Sequence, residues 1–307
     1  MVGRALVAVG SRELALTNLD KVLWPEDGIT KGDLIHYFAE MAEHMLPYLK
    51  NRPLVFTRYP NGISSTAFYQ KERPKPTPEW VRTFPVFHKD AGRVVNYIIA
   101  DEPATLVWLA NLACLEVHPW LSNITSLDTP DFAAFDLDPA EGASFDDVRV
   151  IARLVKQALE SYGLEGFLKT TGATGLHIFV PLRPAWPYDT VKSAVEFVAR
   201  MVVNAYPEKA TVERMVSNRT GKVYIDYLQN IRGKTLVSIF SPRPRRGATV
   251  SFPVAWSNLD KVDPRVFTVK TAPEIIRRDG DQFSGSLTLK QDIEPLLKVA
   301  QGPVRVH

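Results

Sequence analysis

Between Phe132 and Leu182 the chain reads as a strand, a helix and two more strands, the last two separated only by Gly172-Ala173-Thr174-Gly175. So short a link cannot carry the crossover helix that a parallel pair needs. Lys222–Tyr227 and Thr235–Phe240 read as two further strands, also without a helix between them. Elsewhere helices and strands alternate. The pattern predicts an α/β (α+β) fold with a mixed sheet.

The helices are marked by their caps. Thr30-Lys31-Gly32-Asp33 forms a capping box that opens a helix to about Leu49, with Leu34, Phe38, Met41, Met45 and Leu49 on its apolar face. Ser144 and Asp147 form a second box before Val148, Ile151, Leu154, Val155 and Leu159, and Gly163 ends that helix. Residues 103–114 read as a buried apolar helix, Asp189–Tyr206 as a third amphipathic helix and Gln291–Val299 as a short one.

Composition narrows the function classes. With 45% hydrophobic residues the chain is an ordinary globular protein and not a disordered one. No run of about 18 apolar residues exists to span a bilayer. Cys114 is the single cysteine, which excludes a disulfide scaffold and suits a reduced, cytoplasmic compartment. Arg4 and Arg12-Glu13 interrupt the N-terminal stretch, so no signal-peptide core is expected. A net charge of +3 permits a nucleic-acid partner but does not argue for one.

The most informative segment is Phe135-Asp136-Leu137-Asp138-Pro139. On a strand, Asp136 and Asp138 share one face. Two neighbouring carboxylates repel, and a divalent cation relieves the repulsion; oxygen-only ligands suit Mg²⁺ or Mn²⁺. Two such ions can clamp the attacking and leaving oxygens of a phosphoryl transfer. Alone, D-x-D also reads as a surface turn with one aspartate capping the next helix. Asp226 interrupts a second apolar strand, Val223–Tyr227, where a carboxylate needs a partner: a metal, or an arginine such as Arg219 or Arg232.

Lys169 to His177 reads as a strand, a glycine turn and a strand. Its glycines let backbone approach a ligand, Thr171 offers a hydroxyl and His177 a donor to phosphate; an ordinary hairpin with a satisfied histidine is the alternative. It lacks both the Gly-Lys-Ser/Thr ending and the following helix of a Walker loop. Lys71, Arg73 and Lys75 follow Phe68-Tyr69-Gln70, placing cations beside aromatics as single-stranded nucleic acid favours. Arg243, Arg245 and Arg246 share one loop. Either basic cluster alone also reads as a solvated loop.

Taken in order, LTNLDKVLWPEDGITKGDLIHYF, RPLVFTRYPNG, AFYQK, ATLVWLANLACLEVHPW, FDLDP, KTTGATGLHIFVPL, VYIDYLQN and SPRPRRGATVSFPV, from Leu16 to Val254, resemble the polymerase domain of bacterial DNA ligase D. That family is a branch of the archaeo-eukaryotic primase superfamily serving non-homologous end joining. The resemblance implies a primase-like fold: two mixed or antiparallel sheets with flanking helices around a catalytic cleft. The expected organisation is one domain over 1–307, with about 1–120 packing on a catalytic core of about 121–300.

The resemblance also implies roles. Asp136, Asp138 and Asp226 would be the catalytic, metal-binding carboxylates, with two Mn²⁺ or Mg²⁺ ions. His118, Thr171, His177, Gln229 and Arg243 would bind the nucleotide. Asn18, Lys21 and Lys31 would hold a DNA 5′-phosphate. Phe68, Tyr69, Lys71 and Arg219 would contact DNA and template. The expected activity is addition of NTPs, ribonucleotides preferred over dNTPs, to a primer 3′-OH at gaps or 3′ overhangs bearing a 5′-phosphate. Ku and a DNA ligase are the candidate protein partners, at the nucleoid. A de novo RNA primase is the nearest rival and a non-catalytic end-bridging module the rival from another class. Thr171 replaces a common Ser and keeps the hydroxyl; Thr174 replaces a common Lys and removes a cation; Tyr69 replaces Phe and keeps the ring. No ligase or nuclease segment is recognisable before His307, which fits a stand-alone polymerase or an excised domain.

Overall fold

The computed structural model describes residues 4–300. They form two compact units, each assembled from separate stretches of chain. The first runs up to Thr125 and adds Thr235–Phe252 and Asp263–Asp281; the second comprises Ser126–Lys234, Pro253–Val262 and the stretch from Gln282. Among the described residues no helix is long and apolar enough to cross a membrane.

The second unit is built on a six-stranded sheet. Its order is Ala210–Thr211, Val223–Asp226, Phe132–Pro139, Leu176–Pro181, Phe167–Thr170 and Pro253–Val254. The first pair is parallel and the others antiparallel, so the sheet is mixed, as the missing crossover helices require. Helices Phe145–Glu160 and Tyr188–Ala205 cover one face, where Ala133, Phe135 and Val180 meet Leu159, Val191, Ala194 and Val198. Because side chains alternate along a strand, Ala134, between Ala133 and Phe135, and the aspartates at 136 and 138 belong to the other face. Burying Phe135 under helices therefore also fixes where Asp136 and Asp138 project.

Asn230 closes the edge where the short strand Val223–Asp226 ends. It is fully buried; its Oδ1 accepts from Ala134 N at 2.8 Å and its Nδ2 donates to Ala134 O at 2.7 Å. The side chain thus replaces a missing strand residue and satisfies both backbone groups of Ala134.

The first unit carries a five-stranded antiparallel sheet. Leu54–Arg58 pairs with Phe68–Gln70, with Arg93–Ile98 and with Cys114–Pro119, and Thr83–His88 pairs with Arg93–Ile98. Two small hairpins, Arg4–Val9 with Arg12–Thr17 and Val22–Trp24 with Ile29–Thr30, precede helix Lys31–Leu49. Both capping boxes form as expected, Thr30 with Asp33 and Ser144 with Asp147.

Three expected elements differ. The apolar helix stops at Asn111, and Cys114–Pro119 is a strand; Ala113, at φ 56°, turns the chain between them. An unbroken apolar run carries no period that separates buried helix from buried strand. Thr235–Phe240 forms no ladder. Its backbone bonds go singly to different neighbours, Ser238 N to Val117 O and Phe240 N to Ser251 O, and Phe240 lies at φ 64°. The C-terminal helix begins at Glu294, because Gln291 instead bonds Arg183 N through its carbonyl and Glu165 O through its amide.

Asn230→Ala is expected to destabilise the protein by about 2–4 kcal/mol, since both polar groups of Ala134 would stay buried without partners. Thermal melting checks this. An unchanged melting temperature would mean that those two bonds contribute nothing net.

Candidate active site

The antiparallel register of the second unit sets Asp136 directly opposite Asp226, with Asp138 two residues along the same face. Asp136 is 7% exposed, Asp138 lies open to solvent and Asp226 is half-buried. The three acids nominated from the sequence are thus brought to one patch of one sheet face. Among the described residues Asp226 has no arginine partner: its Oδ1 accepts from Leu228 N at 2.9 Å and Tyr224 Oη at 3.2 Å, its Oδ2 from Gln229 Nε2 at 2.8 Å. The two arginines considered for it are engaged elsewhere. Arg219 lies 3.5 Å from the centroid of the Tyr224 ring, and Arg232 pairs with Asp128.

The donor set fits a hard divalent cation in kind, being oxygen-only and acidic. As the side chains are turned here, no three His, Cys, Asp or Glu groups among the described residues converge on one metal position. The backbone register assembles the acids, while the carboxylates of Asp136 and Asp226 face protein donors.

Next along the same sheet row stand His177 and Lys169. His177 is paired with Asp136 in register and its Nε2 lies 3.0 Å from Asp136 Oδ1. Lys169 is paired with His177 and its Nζ lies 2.9 Å from His177 Nδ1. The glycine turn follows. Gly172 has φ 69°, and a Cβ on Gly175 would sit 2.3 Å from Leu137 O and 3.1 Å from Asp138 Oδ1, so only glycine lets the turn lie against the aspartate strand. Thr171 Oγ1 accepts from Ala173 N at 3.1 Å and Gly175 N at 3.2 Å. Its oxygen orders the turn; its hydrogen remains a donor. Thr174, at the tip, is exposed.

In the first unit, His118 and Arg243 share a carboxylate that sequence reasoning passed over. Glu116, buried two residues before His118 on the same strand, has Oε1 3.3 Å from Arg243 Nε and Oε2 3.9 Å from His118 Nε2. Burial works to raise the Glu116 pKa, but His118, Arg243 and Thr57 together bring it below the usual carboxylate value. The signal was present: an acid inside the apolar run Cys114–Val117, the same kind of interruption that singled out Asp226. Lys169, a lysine behind Phe167-Leu168, was equally legible and equally missed.

The remaining nominated residues lie in the first unit, Arg219 aside. Lys21 Nζ donates to Asn61 Oδ1 at 2.9 Å. Lys31 is buried, donating to Thr17 O at 2.5 Å and Thr17 Oγ1 at 3.2 Å. Burial, and then the charge of Lys21, bring the Lys31 pKa down to about 8. Asn18 adopts φ 54° and its carbonyl accepts from Lys21 N, so the turn it makes presents Lys21 beside Lys31. Phe68 and Tyr69 stand 54% and 60% exposed on an edge strand, with exposed Lys71 two residues after Tyr69, the arrangement that stacking on bases needs.

The chain is similar to known proteins over most of its length. The family model of the LigD primase-polymerase domain matches residues 30–283. The bifunctional non-homologous end joining protein LigD of Bacillus subtilis is 34% identical over 286 residues, covering 92% of this chain and 46% of that protein. The multifunctional non-homologous end joining DNA repair protein LigD of Mycobacterium tuberculosis H37Rv is 33% identical over 282 residues, 89% of this chain and 37% of that protein. The chain therefore spans less than half the length of these relatives. Among solved structures, the polymerase domain of Mycobacterium tuberculosis ligase D in complex with DNA superposes with a TM-score of 0.84 at 33% identity, covering 91% of this chain and 99% of that one. On a match that runs through most of its length, the chain belongs to the LigD primase-polymerase domain family.

Proposed function

We propose that this chain, acting as one primase-polymerase domain, is a nucleotidyltransferase of bacterial non-homologous end joining. It would add NTPs, ribonucleotides preferred, to a primer 3′-OH opposite a template at gaps or 3′ overhangs. The observation that carries this reading is the register pair Asp136–Asp226 with Asp138 on the same face, since three acids on adjoining strands serve no purely DNA-bridging module facing a polyanion. Two Mn²⁺ or Mg²⁺ ions held by these aspartates would lower the pKa of the 3′-hydroxyl and offset charge on the departing pyrophosphate.

The chain's own groups do the rest. Arg243, His118, His177, Gln229 and the Thr171 hydroxyl hydrogen bind the triphosphate of NTP or dNTP. Glu116 lies beside both Arg243 and His118 and balances the charge of Arg243. Phe68 and Tyr69 stack on bases, while Lys71 and Arg219 contact the backbone and template. Asn18, Lys21 and Lys31 receive the 5′-phosphate of the downstream strand. Ku and a DNA ligase are the proposed partners, in the cytoplasm at the nucleoid.

The deciding experiment is extension of a primer on gapped, 5′-phosphorylated duplex, with Mn²⁺ or Mg²⁺ and with NTPs or dNTPs. Asp136→Ala or Asp226→Ala is expected to lower the rate by about a thousandfold or more while DNA affinity persists. Extension by either variant at the wild-type rate would remove the metal assignment. Dinucleotide products from an unprimed template would instead favour the primase reading.

The 5′-phosphate pocket predicts a pH dependence. With its pKa near 8, free Lys31 loses its charge as pH rises through that value, while a phosphate monoester is already dianionic above about pH 7. The preference for 5′-phosphorylated over 5′-hydroxyl DNA is expected to be greatest near pH 7 and to shrink toward pH 9. Lys21→Ala with Lys31→Ala should erase it and flatten the salt dependence, the double-logarithmic slope falling by about 2. Equal binding of the two DNAs by the wild type at pH 7 would sink the pocket. The same lysine bears on stability: between pH 8 and 10.5 the unfolded chain holds its proton and the folded one does not, so stability rises across that window.

A further inference from the structure

One group in the row of charged residues has no part in the reaction as described above. Lys169 is fully buried, at 0% exposure, directly before the glycine turn. The register places Lys169, His177, Asp136 and Asp226 side by side on four neighbouring strands and on one face. Lys169 Nζ is 2.9 Å from His177 Nδ1 and 5.6 Å from the centroid of the Phe179 ring. The other ring nitrogen of His177, which is 3% exposed, lies 3.0 Å from Asp136 Oδ1, a charge contact and not an aligned hydrogen bond.

We propose that Lys169 is the positioning residue of this site: it holds His177 in the tautomer that carries its hydrogen on Nε2, the nitrogen beside Asp136, and so keeps a donor next to that carboxylate. An ammonium group has three hydrogens and no lone pair, so Nδ1 is the acceptor across the 2.9 Å contact. A neutral ring accepting at Nδ1 carries its hydrogen on Nε2. Nε2 is the atom that faces the carboxylate. The imidazole thereby bridges a buried ammonium to a buried carboxylate, and the row is charge-balanced from Lys169 to Asp136. Charge-balancing gives a reason for a lysine where an apolar side chain would otherwise fill the core. Lys169, at 0% exposure, acts through His177 as outer partners act on the groups that ligate or react.

The consequence for catalysis rests on the reading of Asp136 as a cation ligand, but the tautomer does not, so the two can fail separately. The experiment is long-range ¹H–¹⁵N correlation of ¹⁵N-histidine-labelled protein without metal or nucleotide at pH 7.5, His177 being assigned by the signal lost in His177→Gln. The wild type is expected to show Nε2–H with a bare Nδ1. Lys169→Met is expected to lose that signature, and its primer extension at saturating NTP to fall about 10–100-fold with a smaller change in KM. Lys169→Arg, which keeps donors without an acceptor, is expected to retain Nε2–H.

A wild-type His177 carrying hydrogen on Nδ1 overturns the proposal without any variant, even if Lys169→Met fails to fold. An unchanged tautomer in folded Lys169→Met overturns it as well. A changed tautomer with an unchanged extension rate overturns the positioning role. Wild-type protein that shows Nε2–H but extends no primer upholds the Lys169–His177 pairing and counts against the polymerase reading.

Discussion

Two carboxylates facing each other across an antiparallel pair are the constraint around which the second unit is arranged. Asp136 and Asp226 occupy opposite register positions, where side chains come close enough for like charges to repel. The sheet tolerates this because each acid has donors on its outer side. Asp226 is held by Leu228 N, Tyr224 Oη and Gln229 Nε2 just past the end of its strand. Asp136 faces His177 on the neighbouring strand, with Lys169 behind it. A divalent cation would relieve the same repulsion from the front. Both acids are thus engaged from behind, and exposed Asp138 stands on the same face.

The surrounding structure follows from keeping that row in register. Phe135 and Leu137 pack under the helices and so turn the aspartates outward. Gly175 lacks a Cβ because Leu137 O stands where one would be. Thr171 spends its oxygen on two backbone amides of the turn, which leaves its hydrogen free to donate. Asn230 stands in for a strand residue beside Ala134, two positions before Asp136, so the aspartate strand stays paired after its neighbour ends. In the first unit the same logic runs with opposite sign. Glu116 is a buried acid that lies beside the Arg243 guanidinium and the His118 ring, where Asp136 is a buried acid set beside another acid.

Much of the site was legible one residue at a time. Acids interrupting apolar strands, as in Val223–Asp226, stand out because burying a carboxylate has to be compensated. Glycines around Thr171 stand out because few other residues permit that backbone. Lys169 and Glu116 carried the same mark, but a lysine before a glycine turn and a glutamate beside a histidine have many innocuous explanations in one dimension. The strand expected over Thr235–Phe240 failed for a related reason. Its residues are mostly apolar or β-branched, yet Ser238 N and Phe240 N bond different neighbours, Val117 O and Ser251 O, and no local pattern encodes that.

By itself the sequence determined the caps at Thr30 and Ser144, the amphipathic helices they open, the alternation that puts Asp136 and Asp138 on one face, and the exclusion of parallel pairing across the glycine turn. These are short-range consequences of hydrogen-bond periodicity and side-chain alternation. Only the tertiary structure decided that Asp226 lies opposite Asp136 and not one position away, that Cys114–Pro119 is a strand, and that Lys169 reaches Asp136 through His177. Register between strands distant in the chain is set by which faces can be buried together, and a one-residue slip would have turned every acid in the row into the core.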